Sequence, residues 1–461
     1  MQKVLAWKIA IVMILALLVQ LPISMIDGLT AERKARRDGV VADIARSAAE
    51  AQQLAGPVIL VPFTHRSMQV TTRTDDSGRT HSTRREKVRK GWVAVLPEKL
   101  DIDGALRLQT KRRGIYRARL YTGQLELRGH FVIPPEHRLH RSGPEYEWGR
   151  ARLVVGVSDP RGLRESARIE WDGVPLALRP GGADAAALNH GIHADLGALS
   201  DPATAATAQH RFRVTLALRG SQRLDIMPLG RTTRVALASD WPHPSFTGRL
   251  LPEADTRVSD AGFAATWETS HFATNLEQVL QGCLQTQRCK DYARNAFGVA
   301  FIEPVDLYLT LERALKYGFL FIALTFAAFF LFELLAGLAI HPIQYALVGV
   351  ALAVFFLLLL SLSEHLAFVL SYAIAALACV MLIGFYLSFV LRGARRGLLF
   401  GAGLGGLYAL LYAVLRLEDQ ALLMGSALVF ALLAATMVGT RRVDWYRIGL
   451  ARAGTGAATP S

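Results

Sequence analysis

Cysteine is scarce in this chain of 461 residues: there are three, at positions 283, 289 and 379. So small a number excludes a four-thiolate zinc site and a disulfide-dense scaffold, and no C-x-x-C spacing offers a thiol-oxidoreductase motif. Cys379 sits inside a long apolar run and reads as a small apolar residue. Cys283 and Cys289 are separated by Leu-Gln-Thr-Gln-Arg in a polar region, and an oxidising compartment favours a disulfide between them. His-Glu-x-x-His, Gly-x-Ser-x-Gly and Walker-type phosphate loops are also missing, which removes the standard metalloprotease, serine-hydrolase and NTPase signatures. The pairs His137-x-x-His140 and His190-x-x-His193 would each place two imidazoles on one helix face. Neither has a Glu or Cys at ligand spacing, and both lie in Gly/Pro-flanked stretches, so no metal and no cofactor is expected. No nucleic-acid-binding motif occurs and nucleic acid is not an expected partner.

Acidic residues are outnumbered, with 38 Asp+Glu against 52 Lys+Arg and a net charge of +14. Most of the excess falls between positions 27 and 316, where 42 basic residues face 33 acidic ones. Beside a bilayer such a surface attracts anionic lipid headgroups or acidic cell-wall polymers, although a well-solvated Arg-rich surface is the plainer reading.

What the chain has in abundance is apolar sequence in long runs. Five runs, at 318–340, 343–362, 366–391, 397–415 and 421–438, follow one another almost end to end, and a sixth at 9–26 stands alone. Each is near the roughly 20 residues a helix needs to cross a bilayer. Lys3 and Lys8 precede the first run, but Pro22-Ile23-Ser24-Met25-Ile26-Asp27 offers no cleavage pattern, so that run reads as an uncleaved anchor. The expected fold class is therefore a membrane all-α module of six transmembrane helices plus a large soluble, mainly-β, antiparallel sandwich-like domain. The expected organisation is an anchor at 1–27, a helical juxtamembrane segment at 28–55, a periplasmic β-rich domain at 56–316, a five-helix membrane module at 317–440 and a cytoplasmic tail at 441–461.

The sidedness rests on positive charge in short loops. Arg392, Arg395 and Arg396 fill one gap, and Arg441, Arg442, Arg447 and Arg452 lie in the tail. The alternate gaps, 363–365 and 416–420, are net acidic. Both termini are thus expected in the cytoplasm and the large domain in the periplasm. Arg33, Lys34, Arg36 and Arg37 disagree, because they follow the first span on the outer side.

Within the polar region, 29–53 reads as a helix continuing from the membrane, with Val40, Val41, Ile44 and Ala48 at helical spacing and Gly56-Pro57 as its stop. Strand patterns follow at 58–61, 92–96, 123–129, 153–157, 169–171, 176–178, 211–219 and 235–238, several of them alternating polar with apolar. Segment 71–90 reads as a long basic hairpin tip or a partly disordered segment, and 180–191 and 200–209 as loops. Among the apolar runs, ionisable residues mark points that need partners. Glu333 lies near the inner end of its run, with His341 or Gln344 across a short turn as the expected partner. Glu364 and His365 cap helices at the outer surface. Gly397, Gly401 and Gly405 form a small-residue stripe for close helix packing.

Several strings are specific enough to resemble a known family. They are Trp241-Pro242-His243-Pro244-Ser245-Phe246, Ser259-Asp260-Ala261-Gly262-Phe263 with Trp267, Asp306-Leu307-Tyr308, and Arg313-Ala314-Leu315-Lys316-Tyr317. Phe332-Glu333, His341-Pro342-Ile343-Gln344-Tyr345, Ser363-Glu364-His365 and Asp444-Trp445-Tyr446 continue the match in order. Together they resemble the CreD family of bacterial inner-membrane proteins over nearly the whole chain. The 283–289 stretch and the 71–90 loop are not part of that pattern. The resemblance implies a cell-envelope integrity protein of a Gram-negative cytoplasmic membrane, linked to the Cre two-component system, envelope stress and tolerance of colicins and β-lactams. It carries no catalytic residues to transfer.

The expected function is accordingly a non-enzymatic inner-membrane protein supporting envelope integrity and the envelope stress response. Its partners are the lipid bilayer and an envelope protein or cell-wall component. The residues expected to matter are Trp241, Pro242, His243, Pro244 and Phe246, a rigid proline-bracketed segment, with Asp306, Tyr308, Arg313, Lys316, Glu333, His341, Glu364 and His365. The second reading is a transporter or lipid-handling protein using Glu333 and the Glu364/His365 pair; the third is an envelope hydrolase.

Overall fold

The computed structural model describes residues 2–74, 80–133, 145–182, 188–197, 208–303, 306–336, 340–391 and 393–416, with isolated positions at 426, 430, 434, 437 and 441. The chain divides into two compact units, Met1–Arg37 with Val305–Ser461, and Asp38–Pro304.

The first unit is helical. Among the described residues, five helices are long and apolar enough to cross a membrane. They are α1 (Gln2–Ala48), whose residues up to Arg37 belong here, and, numbering past three helices of the other unit, α5 (Leu307–Ala336), α6 (Pro342–Ser363), α7 (Phe368–Val390) and α8 (Ala394–Arg416). The sixth expected span, 421–438, and the tail are described only at 426, 430, 434, 437 and 441. Val19, Ile23 and Ile26 of α1 join Phe326, Phe329, Tyr345, Phe355, Phe356 and Tyr408 in one apolar cluster. Helix α5 begins at Leu307, ten residues before the expected 317, because Tyr308, Leu311, Ala314 and Leu315 supply a buried face ahead of the uninterrupted apolar run. Gly397 and Gly401 serve the close packing of α8 on α7. A Cβ at Gly397 would meet the Ser388 Cα at 2.6 Å, and one at Gly401 would lie 3.7 Å from the Gly384 Cα. Gly405 faces open space, so the packing stripe has two members rather than three.

The second unit is a two-sheet sandwich. Its strands are β1 (Gln52–Thr74), β2 (Thr80–Val95), β3 (Lys99–Arg113), β4 (Tyr116–Ile133), β5 (Tyr146–Trp148) and β6 (Ala151–Val157). Then come β7 (Arg168–Trp171), β8 (Val174–Leu176), β9 (Arg179–Pro180), β10 (Gly191–Gly197), β11 (Ala208–Ser221) and β12 (Arg223–Met227). The last are β13 (Thr232–Ser239), β14 (Pro244–Gly248), β15 (Arg257–Ser259), β16 (Gly262–Ser270) and β17 (Phe297–Phe301). Three helices interrupt them: α2 (His271–Thr274), α3 (Leu276–Thr286) and α4 (Lys290–Ala293).

One sheet runs β14-β17-β12-β1-β6-β10-β9, with β2 and β5 added on β1; the other runs β15-β16-β13-β3-β4-β11-β7-β8. The expectation of an antiparallel sandwich needs correction, because both sheets are mixed: β1 pairs β12 in parallel, and β13 pairs β3 in parallel. Alternation along a strand records which face is wet and says nothing about the direction of the neighbour. The main core lies between the sheets, from Ile59, Val61, Leu153, Val155 and Val299 on one to Leu100, Ile102, Leu127, Val214 and Trp267 on the other. Val58 and Leu60, on the opposite face of β1, are buried with Leu276, Leu280, Cys283 and Leu284 of α3. Burial on both faces accounts for the unbroken Val58-Ile59-Leu60-Val61 run.

Helix α1 ends at Ala48, five residues short of the expected 53. Gln52 is drawn into the sheet instead, pairing with Leu224, while its side-chain amide donates to the Asp159 and Arg219 carbonyls at 3.0 and 3.3 Å. His193 lies in β10 with Nδ1 2.8 Å from the Gly181 carbonyl, so the pairing of His190 and His193 on a helix face does not occur. His137 and His140 are outside the described residues. Of the 71–90 segment, residues 71–74 and 80–90 are described; they belong to β1 and β2, paired in register out to Thr74↔Thr80.

Candidate functional site

The helical unit concentrates charge in a few buried places, and α1 supplies the cation at each. Lys8 forms an ion pair with Glu333, near the end of α5, and its ammonium also donates to the Ile340 carbonyl at 3.1 Å. The Glu333 carboxylate is satisfied on both oxygens. Oε1 accepts from the Ile340 amide at 3.0 Å, Oε2 accepts from the Tyr345 hydroxyl at 2.8 Å, and the residue is 5% exposed. His341 and Gln344, the expected partners, serve the start of α6. The Ile343 amide donates to His341 Nδ1 at 3.3 Å and the His341 amide donates to Gln344 Oε1 at 3.2 Å, closing a capping box. The sequence points to Glu333 and misses Lys8 and Tyr345. A Lys bordering one apolar run and a lone Glu two turns inside the end of another are the signal that pairs them.

Three more pairs lie at the other end of the same helices. Arg33 reaches Glu364 at 3.5 Å, Lys34 reaches Glu312 at 2.8 Å and Arg37 reaches Asp306 at 2.8 Å. The Tyr308 hydroxyl donates to Glu364 at 3.2 Å, and the Arg37 guanidinium sits 5.1 Å from the Tyr308 ring centre. Asp306 accepts from the Tyr308 and Leu309 amides at 3.0 and 3.3 Å, which caps α5. Burial pushes the Asp306 carboxyl upward, but the Arg37 guanidinium and those two amides more than reverse it and hold the group below the usual carboxylate range.

Along α1, Lys8 and Lys34 are 26 residues apart, roughly 39 Å of helix; along α5, Glu312 and Glu333 span roughly 32 Å. The two sets of ion pairs are thus separated by about one hydrocarbon thickness. Arg33, Lys34 and Arg37, anomalous by loop charge, each have a carboxylate on the helices beside them. Of the remaining candidates here, Lys316 and His365 are exposed, while Arg313 is half-buried on α5.

The Trp241 segment belongs to the β-rich unit and is described within it. Pro244 opens β14, an edge strand paired with β17 as Pro244↔Phe301. The Trp241 indole N–H donates to the His243 carbonyl at 2.9 Å, its ring carries the Arg119 guanidinium at 4.5 Å, and Arg119 in turn pairs with Glu303 at 2.7 Å. Phe246 meets Phe263 and Trp267 edge-on at 5.8 and 5.6 Å. Of the named residues in this segment only His243 is exposed; Trp241, Pro242, Pro244 and Phe246 are partly buried in the packing of the sandwich edge. In the same unit Cys283 and Cys289 are disulfide-bonded, their Cα atoms 4.7 Å apart, where α3 gives way to α4. Among the described residues no group of three or more His, Cys, Asp or Glu is arranged to hold a metal.

A crystal structure of a provisionally assigned nutrient binding protein from Legionella pneumophila covers 50% of this chain and 77% of its own, at 8% identity and a TM-score of 0.22. A likeness that slight carries no argument. The chain is 35% identical over 446 residues to the inner membrane protein CreD of Escherichia coli (strain K12), covering 96% of this chain and 94% of that one. The family model for inner membrane protein CreD matches residues 4–446. The chain belongs to the CreD family of inner membrane proteins.

Proposed function

We propose that the chain is a non-enzymatic, membrane-anchored scaffold that supports cell-envelope integrity and the envelope stress response. In this reading the β-rich unit is periplasmic and both termini are cytoplasmic. The observation that carries the proposal is the one-to-one assignment of α1 cations to carboxylates: Lys8 to Glu333, Arg33 to Glu364, Lys34 to Glu312 and Arg37 to Asp306. Among the described residues, the four carboxylates Asp306, Glu312, Glu333 and Glu364 each have a cation of α1 as a fixed partner. Glu333 and Glu364 also stand beyond opposite ends of α6, a helix of 22 residues and roughly 33 Å, so they do not line one shared site. Paired charge of this kind holds an N-terminal helix against a bundle, which is what an anchor requires.

The sidedness is supported by Arg395 and Arg396 in the first turn of α8 against Glu364 in the α6–α7 gap. The Arg33-to-Arg37 cluster has a packing reason to lie where it does, which removes the main objection to that orientation. The test is a reporter active only in the periplasm, inserted at 75–79 between β1 and β2. Activity there is expected. Signal solely from a cytoplasmic reporter at the same place would overturn the orientation and the envelope-facing role with it.

A further inference from the structure

The outer half of the β1–β2 hairpin has no part in the reading above. β6 leaves β1 at Leu60 and β5 leaves it at His65, after which the Arg66 amide makes one last bond to the Glu145 carbonyl at 2.9 Å. From there outward, among the described residues, β1 and β2 pair only with each other, through Arg66↔Val88, Met68↔Glu86 and Val70↔Arg84.

The register sorts their side chains onto two faces. On one face Arg85, Lys87 and Arg89 follow at every second position, roughly 7 Å apart, opposite Gln69, Ser67 and His65. All three cations are exposed, and none has an ion-pair partner among the described residues. The other face carries Met68, Val70 and Val88 at 69, 53 and 47% exposure, with Arg84 and Lys90 beside them. The acid there, Glu86, is taken by Arg66 at 3.4 Å. A two-stranded ribbon is marginal in water by itself, and this one exposes apolar side chains along its length.

We propose that this ribbon, residues 66–74 and 80–90, is a docking element for the surface of a bilayer bearing anionic phospholipid. Its apolar face enters the boundary between headgroups and acyl chains, and its cations meet lipid phosphates. The cation row alone would suit any polyanion. Met68, Val70 and Val88 decide between them, because a hydrated acidic glycan offers apolar side chains nothing while a lipid interface does. A membrane protein always has that partner at hand. The inference rests on membrane location and not on sidedness, so failure of the topology test above leaves it standing.

The experiment uses the full chain in neutral phosphatidylcholine nanodiscs, with Met68→Cys carrying an environment-sensitive fluorophore. Vesicles of phosphatidylcholine alone, or with about a third phosphatidylglycerol, are added with and without spin-labelled quencher lipid. Binding and quenching are expected only with phosphatidylglycerol, and raising the salt should release the protein. The triple variant Arg85→Gln, Lys87→Gln, Arg89→Gln should bind about a hundredfold more weakly. Arg85→Lys with Arg89→Lys should bind like the parent, and Val70→Ser with Val88→Ser should adsorb but escape quenching. If a variant shows an altered melting temperature, the salt titration of the parent decides. The proposal is overturned by equal binding to both vesicle types, by no binding to either, by salt-insensitive binding, or by a triple variant that binds like the parent. Equally tight binding of a soluble acidic glycan that Val70→Ser with Val88→Ser leaves unchanged would likewise sink the lipid assignment.

Discussion

Removing Lys8 isolates the role of the Glu333 cluster. In Lys8→Met the carboxylate keeps two neutral donors, the Ile340 amide and the Tyr345 hydroxyl, but has no countercharge. Losing one partner of a buried ion pair costs about 3–5 kcal/mol. The Lys8 side chain is 25% exposed, so water reaches the pair and the expected loss falls to about 2 kcal/mol. Glu333→Gln should cost about 1–2 kcal/mol, because the released ammonium still has the Ile340 carbonyl and the headgroup region. The double variant removes both charges together and should lose less than the sum, giving a coupling of about 1.5 kcal/mol, above the roughly 0.6 kcal/mol typical of hydrogen bonds between membrane helices. Reversible unfolding of the full chain in mixed micelles, followed by tryptophan emission, measures the cycle. Additive losses, within about 0.5 kcal/mol, would refute the idea that the pair holds α1 to α5.

Three further outcomes follow from the β-rich unit. Hydrogen bonds from Arg161 hold Asp159 at about 2, below its ordinary 3.8, despite its burial. Because the folded value is the lower one, its stabilisation is complete above about pH 4 and is lost as pH falls towards 2. Arg161→Gln should therefore flatten the acid-side slope in melting temperature by the share that Asp159 contributes, and an unchanged slope would contradict the assignment. Breaking the Cys283–Cys289 disulfide with Cys283→Ser should cost about 2 kcal/mol by loop entropy, read from thermal melts. In cells, maleimide should label those two thiols only after reduction, and labelling without it would place α3 in a reducing compartment. Trp241→Ala should destabilise by about 2 kcal/mol through the lost ring area and the Arg119 contact, and Trp241→Phe by less; equal losses would show that ring stacking is immaterial.

Periodicity made much of this molecule legible, and neighbours made the rest opaque. The alternation at 211–219 became β11 and the apolar run at 58–61 became the doubly buried part of β1, since each pattern reports burial of its own strand. The parallel pairings of β1 with β12 and β3 with β13 join segments more than a hundred residues apart, and no local pattern carries that information. Helix α5 starts ahead of its apolar run on the buried face of Tyr308, Leu311, Ala314 and Leu315, and Glu312 within that stretch has its own cation on α1, so polarity there marks pairing and not a helix end. At the candidate site, the scarcity of charge in apolar runs picked out Glu333 and Glu364. The cationic partners of both lie on the N-terminal helix, hundreds of positions away, and chain distance directed attention to His341 and Gln344 instead.

The central claim is that the carboxylates of the membrane unit hold structure and do not move protons or ions. The most direct measurement is complementation of a deletion strain under envelope stress by the Lys8→Met, Glu333→Gln double variant, with membrane levels and melting temperature measured in parallel. The account predicts growth and envelope barrier function close to wild type, because both charges leave together and the carboxamide can accept from the Ile340 amide through its oxygen while its NH2 donates to the Tyr345 hydroxyl. Loss of complementation by a protein that is present at normal levels and normally folded would contradict it.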